Sequence, residues 1–343
     1  MADNKDQPLT SILQELHRRT TLAPFTTDEQ RALVQTLTDM LATCGKQVAR
    51  PLPGQDMQEV RGHNHVKRVL EVAAAGGHHV LLSGPPHAGK SFLARTLPSL
   101  LPATAAPYPL RSPDATMHPA AFVGNATTPG EPALAHGGVL LLKHVHAFDR
   151  VCLDELCRVI ETRGVALPGG EVFPANFLLI ATMLPCPCGF YSDPIRDCIC
   201  SPETILQHQQ RLREVIDTCF DLQIEVPIIR ENLMRVPPEE SSATIRARVE
   251  TAREQQRKRY VDTNDLWVNA DIHSVDEVQQ YCQMDAPAER LLSAARAQLH
   301  LTPLQSIRIH RVARTIADLA EAAIIAANHL AEAISYLPPV GRR

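Results

Sequence analysis

Residues 78–101, HHVLLSGPPHAGKSFLARTLPSLL, constrain the fold more than any other stretch of the 343-residue chain. A short apolar run ends at Ser83, a glycine-rich turn follows, and a helical apolar pattern begins after Lys90. Gly84, Gly89, Lys90 and Ser91 have the spacing G-x-x-x-x-G-K-[ST]. Between a strand and a helix, such a loop turns its backbone N–H groups toward phosphate oxygens. Its lysine reaches the outer phosphates, and its hydroxyl ligates Mg²⁺. Gly84, Pro85, Pro86, His87, Ala88, Gly89, Lys90 and Ser91 are therefore the expected binding segment for ATP or ADP. The bland alternative is a Gly-Pro turn that holds no ligand.

A parallel α/β sheet is the natural setting for that loop, and the rest of the chain supplies one. Strand-like runs recur at 78–84, 138–142, 177–182 and 220–227, separated by helical or irregular stretches. Residues 1–48 read as a short helical segment, with apolar stripes at Ile12, Leu13 and Leu16 and at Leu33, Val34, Leu37 and Leu41. Turn-rich linkers fall at 50–55 and 231–240, and the pattern beyond is helical to about 337. The expected class is α/β, a P-loop core with a C-terminal helical domain and a short N-terminal helical segment. The expected domains are 1–48, 49–230 and 241–337.

The strand run GVLLL at 138–142 ends in Lys143 and His144. Nucleotide hydrolysis calls for carboxylates at such a tip, where Mg²⁺ and the attacking water are handled. A cation and an imidazole stand there instead.

Several strings together resemble the magnesium-chelatase subunit I-like AAA+ ATPases and their ComM-like branch. They are LEVAAAGGHHVLLSGPPHAGKS (70–91), PGEPALAHGGVLLL (129–142), PCPCGFYSDPIRDCICSP (185–202), SSATIRARVETARE (241–254), RVARTIADLA (311–320) and HLAEAI (329–334). The resemblance spans about 56–337 and implies an AAA+ core with a helical lid. It also implies an oligomeric ring, typically a hexamer, that remodels a partner or drives DNA branch migration. Residues 1–48 do not resemble that family's longer N-terminal domain, and the segment between Lys90 and Arg111 is shorter than the family's.

The same resemblance marks what is missing. The family's metal and water carboxylates fall on Lys143 and His144, and its water-orienting Asn falls on Leu184. Its arginine finger falls on Cys219, and its lid arginine on Leu304, although Arg308, Arg311 and Arg314 lie on the same helix. Loss of an arginine finger alone costs about 10³–10⁵ in rate. Asp149, Asp154 and Glu155 follow the strand and are the acids that could substitute, but they sit in a helical stretch beyond it. The expectation is an ATPase relative that binds nucleotide and hydrolyses poorly, with Mg²⁺ deprived of its carboxylate. It would act as a regulatory or structural subunit beside an active AAA+ paralogue in a homo- or hetero-oligomeric ring. A working motor ATPase on a protein partner or DNA, using displaced acids, and a scaffold with a vestigial loop are the competing readings.

Cys186, Cys188, Cys198 and Cys200 have the spacing C-x-C-x₉-C-x-C, which can place four thiolates around one Zn²⁺. The resembling family carries the same four. The alternative is a compact hairpin of small, reduced residues. Cys44, Cys152, Cys157 and Cys282 show no clustering along the sequence. The stretch 244–260 is rich in Arg and Lys and could track a phosphate backbone. Its Arg246–Glu250 and Glu254–Lys258 spacings, however, suit an ordinary solvated helix. A net charge of −4 and a pI near 6.4 exclude a global attraction to nucleic acid. No signal-peptide layout and no membrane-length apolar run occur, so a cytoplasmic protein without a membrane partner is expected.

Overall fold

The computed structural model describes residues 55–337 apart from 105–106, 126–127, 167–171, 192, 194, 230–238 and 264–265. The expected helical segment 1–48 lies outside the described residues.

Five parallel strands form the central sheet: β1 (Val80–Ser83), β2 (Leu110–Arg111), β3 (Val139–Leu142), β4 (Leu178–Met183) and β5 (Leu222–Glu225), in the order β2-β3-β4-β1-β5. Register is set by Val80 opposite Ile180 and Leu222, and by Val139 opposite Leu178 and Leu110. β1, β3 and β5 lie within stretches expected from their apolar runs, β4 runs one residue past its expected stretch, and the two-residue β2 was not expected. Runs without alternation suit a sheet covered on both faces. Val80, Leu82, Val139, Leu141, Leu178 and Ile180 enter one core, while Leu81, Leu140, Leu142, Leu179 and Ala181 enter the other. Each such Val, Leu or Ile side chain contributes about 1.5–3 kcal/mol by leaving water.

Helices α1 (Asn64–Gly76) and α2 (Lys90–Leu100) cover the first face. Helices α3 (Arg150–Thr162) and α4 (Pro202–Cys219) pair with one another on the second, where Leu153, Leu156, Val159, Leu212 and Val215 enter its core. Asp149 caps α3 by accepting from the Val151 N–H, and Ser201 caps α4 through the Thr204 N–H. Two antiparallel pairs, Gly124–Asn125 with Thr128–Pro129 and Gly164–Ala166 with Val172–Pro174, lie off the main sheet.

The C-terminal part is helical: α5 (Ser242–Arg259), α6 (Val275–Tyr281), α7 (Ala286–Leu299), α8 (Pro303–Leu319) and α9 (Ala327–Ser335). Thr302 and Gln305 form a capping box at the start of α8, with Pro303 in the first turn. Helix α8 is fastened to the sheet by a buried polar node. Asp221, just before β5, accepts from the Arg311 guanidinium and lies 3.1 Å from His78 Nδ1. His78 Nε2 is 2.7 Å from Thr315 Oγ1. Burial pushes the Asp221 carboxyl up, but the charges of Arg311 and Arg308 and the His78 hydrogen bond hold it well below the usual carboxylate range. A second node joins Asp318 to Arg259, Arg314 and Asn269.

Candidate functional site

Because the strands are parallel, their C-terminal ends share one edge of the sheet, the edge where α/β proteins place ligands. Ser83, Leu142 and Met183 end β1, β3 and β4 there, with β4 in the middle. The segments 84–89, 143–144 and 184, assigned from sequence alone, therefore emerge side by side. The His144 N–H donates to Thr182 Oγ1 across 3.1 Å, tying the tips of β3 and β4 together.

The loop 84–89 runs from β1 into α2, with Gly89 as the N-cap residue at φ +87°. That conformation favours glycine. A Cβ built there meets nothing closer than His63 Nε2 at 3.9 Å, so the space beside Gly89 is open. Gly84 is required for another reason. A Cβ on it would stand 2.3 Å from the Val226 carbonyl oxygen. The Lys90 Nζ donates to the carbonyls of Gly84 (2.7 Å) and Pro85 (2.6 Å), and burial pushes its ammonium down to about 8. Ser91 follows in the first turn of α2 and is half-buried.

Beyond β3 the charge is positive. Lys143 lines a pocket with Ser112, Asp114, His144 and His146. Burial, followed by the charge of Arg95, lowers its pKa, while Asp114 acts in the opposite sense. The rings of His144 and His146 meet edge to face at 5.7 Å, and His208 from α4 stands 5.2 Å from His146. Burial, with the nearby charges of His208, His144, Arg211 and Lys90, pushes His146 down to about 4. Arg95 Nε, Ser112 Oγ and His146 Nδ1 are buried without a hydrogen-bond partner. The sequence singled out His144 as a residue of the strand tip, standing where a carboxylate is expected. Arg95, Ser112 and His208 carried no signal, because they approach the strand tip only through folding.

The remaining sequence assignments are also placed. Leu184 follows β4, and its carbonyl accepts from His208 Nε2 at 3.0 Å. Cys219 closes α4 and is 2% exposed, with its sulfur turned inward. Leu304 sits 49% exposed in the first turn of α8. The three arginines that shared its helix are engaged elsewhere. Arg308 donates to the Thr218 carbonyl (2.8 Å), Arg311 to Asp221 and Arg314 to Asp318 and two carbonyls. Of the substitute acids, Asp149 caps α3, Asp154 pairs with Arg150 and Glu155 with Arg158.

Cys186, Cys188, Cys198 and Cys200 converge, with all four sulfurs within 4.8 Å of one another. Three of the separations are 3.4, 3.6 and 3.5 Å. Tetrahedral Zn–S bonds of about 2.3 Å require sulfurs about 3.8 Å apart, so this donor set fits zinc. Backbone hydrogen bonding, first from Phe190, pulls the Cys188 thiol down to about 6. The hairpin also touches the phosphate-type loop: a Cβ on Gly189 would lie 2.8 Å from Pro86 Cδ.

Helix α5 turns out differently from the expected solvated cationic face. Arg248 binds Glu71 and Glu240, Arg253 donates to the Ala74 carbonyl and Arg259 to Asp318. Arg246 reaches the Ser99 carbonyl, and Glu250 accepts from the Ala103 N–H, so the expected Arg246–Glu250 pair is replaced by contacts to neighbouring segments. The Glu254–Lys258 pair is present at 3.9 Å. Arg246, Arg248 and Arg253 are engaged by α1 and α2 and Arg259 by α8, while Arg257 and Lys258 pair with Glu254 at the surface.

A five-stranded parallel sheet, a glycine-rich loop leading from β1 into α2 and a docked helical C-terminal part together define an AAA+ core with a helical C-terminal domain. The chain belongs to the magnesium chelatase subunit ChlI family. "Magnesium chelatase, subunit ChlI" matches residues 56–108 and 103–234, and "Magnesium chelatase, subunit ChlI C-terminal" matches 239–337. The two pieces of the first match meet at 103–108, within the segment that reads as shortened. Among relatives, the uncharacterized protein YifB of Escherichia coli (strain K12) is 36% identical over 311 residues, covering 82% of this chain and 60% of YifB. The competence protein ComM of Haemophilus influenzae is 32% identical over 359 residues, covering 92% of this chain and 69% of ComM. An uncharacterized Mycobacterium tuberculosis protein is 29% identical, covering 85% of this chain and 63% of its own length. The chain thus spans about three fifths of the YifB length. Among the described residues no helix is long and apolar enough to cross a membrane.

Proposed function

We propose that this chain binds ATP or ADP on the 84–91 loop without hydrolysing it. It would serve as a regulatory or structural subunit of a cytoplasmic AAA+ ring, homo- or hetero-oligomeric, beside an active paralogue. The observation that carries this reading is the chemistry of the sheet edge. An open glycine loop with its lysine lies beside strand tips ending in Lys143–His144 and Leu184.

Mg²⁺ does not fit this edge. Asp114 is the one carboxylate lining the pocket, and Lys143 shares that lining. The acids of α3 are committed to a cap and to ion pairs. Lys143, a flexible point cation, is suited to offset phosphate charge itself. Cys219 is buried where an arginine finger would have to reach a neighbour, so no cation is offered from that position. Each missing group removes a separate part of phosphoryl transfer, namely charge neutralisation, water positioning and trans activation.

In the same reading Cys186, Cys188, Cys198 and Cys200 hold a Zn²⁺ with all four positions filled, which makes its role structural. Through Gly189 and Pro86 the hairpin then buttresses the nucleotide loop. The alternative, an active ATPase that remodels a protein or DNA, draws on family membership and on the relative named as a competence protein. It requires hydrolysis from this edge. Nucleotide affinity and turnover measured on one preparation separate the two: binding without turnover supports the proposal, and turnover abolished by Lys90→Ala supports the motor.

A further inference from the structure

Helices α3 and α4 pack side by side, and each carries a cysteine that the sequence leaves isolated. Cys157 lies half-buried on α3, and Cys219 is the buried last residue of α4. Their sulfurs are 2.8 Å apart. That is only about 0.8 Å beyond the roughly 2.05 Å of a disulfide bond. In the hairpin, Cys186, Cys188 and Cys198 hydrogen-bond among themselves in a separate cluster that also includes Cys200.

We propose that Cys157 and Cys219 are a reversible oxidation site, forming a disulfide across the α3–α4 seam when a small peroxide reaches the half-buried Cys157. This assignment is independent of nucleotide binding and of any metal in the hairpin.

The chemistry is supported from both sides. The Cys219 thiol hydrogen-bonds to the Cys157 sulfur, and this contact favours the Cys157 thiolate, lowering its pKa against burial and the charges of Asp154, Glu161 and Glu214. The thiolate is the nucleophile. It attacks one peroxide oxygen, the O–O bond breaks, and the departing hydroxide takes up a proton as water, leaving a sulfenic acid on Cys157. The Cys219 sulfur then attacks the Cys157 sulfur, and the S–O bond breaks. The second hydroxide leaves as water with the Cys219 proton. Two thiols and one peroxide give one disulfide and two waters, with two electrons passing from sulfur to oxygen. A dithiol reverses the step by exchange.

The position gives the bond a structural consequence. Thr218 accepts from Arg308 of α8, and Asp221 holds Arg311 of the same helix. A cross-link at Cys219 therefore fixes the end of α4 immediately beside the anchor of the helical part.

The test uses the full chain treated with hydrogen peroxide, quenched, alkylated and digested for mass spectrometry. The expected result is one peptide pair joined through Cys157 and Cys219, lighter than the two free peptides by two hydrogens and separated by dithiothreitol. In Cys157→Ser, Cys219 should remain fully alkylatable under the same treatment. Cys157 and Cys219 both remaining fully alkylated while other thiols of the chain oxidise would overturn the proposal. So would Cys219 oxidising equally well in the Cys157→Ser variant, or Cys157 joining a different cysteine.

Discussion

Pro86 of the glycine-rich loop and Gly189 of the cysteine hairpin are in such close contact that a methyl group on Gly189 would stand 2.8 Å from the Pro86 ring. The hairpin is thus part of the wall behind the loop. Zinc should co-purify at about one per chain in protein prepared without chelators. Replacing Cys186 and Cys188 with serine should release it, loosen the hairpin and weaken nucleotide binding by way of Pro86. Metal analysis that finds no zinc, or a serine variant with unchanged metal content, would remove this account of the cysteines.

Lys90 gives the loop a pH dependence of definite sign. Burial holds its ammonium at about 8, below the ordinary 10.5. Phosphate oxygens favour the charged form, so the lysine titrates higher when nucleotide is bound. Affinity is then full below about pH 8 and falls as pH rises, by up to about tenfold per unit, until the bound value is reached. His146, pushed down to about 4, is neutral throughout this window, and Lys143, also lowered, acts in the same sense as Lys90. Calorimetry between about pH 7 and pH 9.5 on wild type and Lys90→Ala checks the point. A flat affinity across that range in the wild type would contradict it.

Asp221 is the counter-charge for Arg311 and Arg308 in a buried setting. Asp221→Ala leaves those guanidinium groups without it and should cost about 3–5 kcal/mol of stability. The carboxyl is held below its usual range, so its contribution is present above the ordinary carboxylate pKa and is lost as pH falls toward the depressed folded value. Denaturant unfolding at neutral and acid pH should show the wild type losing more stability on acidification than the variant. Equal losses would mean that the node contributes little.

Four of the five strands were legible because they are apolar runs bounded by turns, whereas β2, only Leu110 and Arg111, carries no such run. The turn of β1 through a glycine-rich loop into a helix was legible as well. The alignment of Lys143, His144 and Leu184 with strand tips was also legible, since short parallel strands leave little freedom in where their ends fall. What could not be read was what crosses between elements. His208 reaches His146 from α4, and Cys219 meets Cys157, a partner 62 residues away. The arginines of α5 looked like a solvated face because i,i+4 spacing cannot reveal that Arg253, half-buried, donates to the Ala74 carbonyl. Leu304 could be weighed against Arg308, Arg311 and Arg314 only once Thr218, Asp221 and Asp318 were seen to occupy those three.

The central claim is that this edge holds nucleotide with its own lysines in place of a metal and leaves it intact. ATP titrated calorimetrically into the unmodified protein, once in EDTA and once in excess Mg²⁺, tests this most directly when turnover is followed in the same samples. The account predicts closely similar affinities and no hydrolysis. It further predicts that Lys143→Asp makes binding depend on Mg²⁺ without restoring turnover, because Leu184 and Cys219 still lack groups that act on water and γ-phosphate. A large loss of affinity in EDTA for the unmodified protein, accompanied by Mg²⁺-dependent hydrolysis, would contradict it.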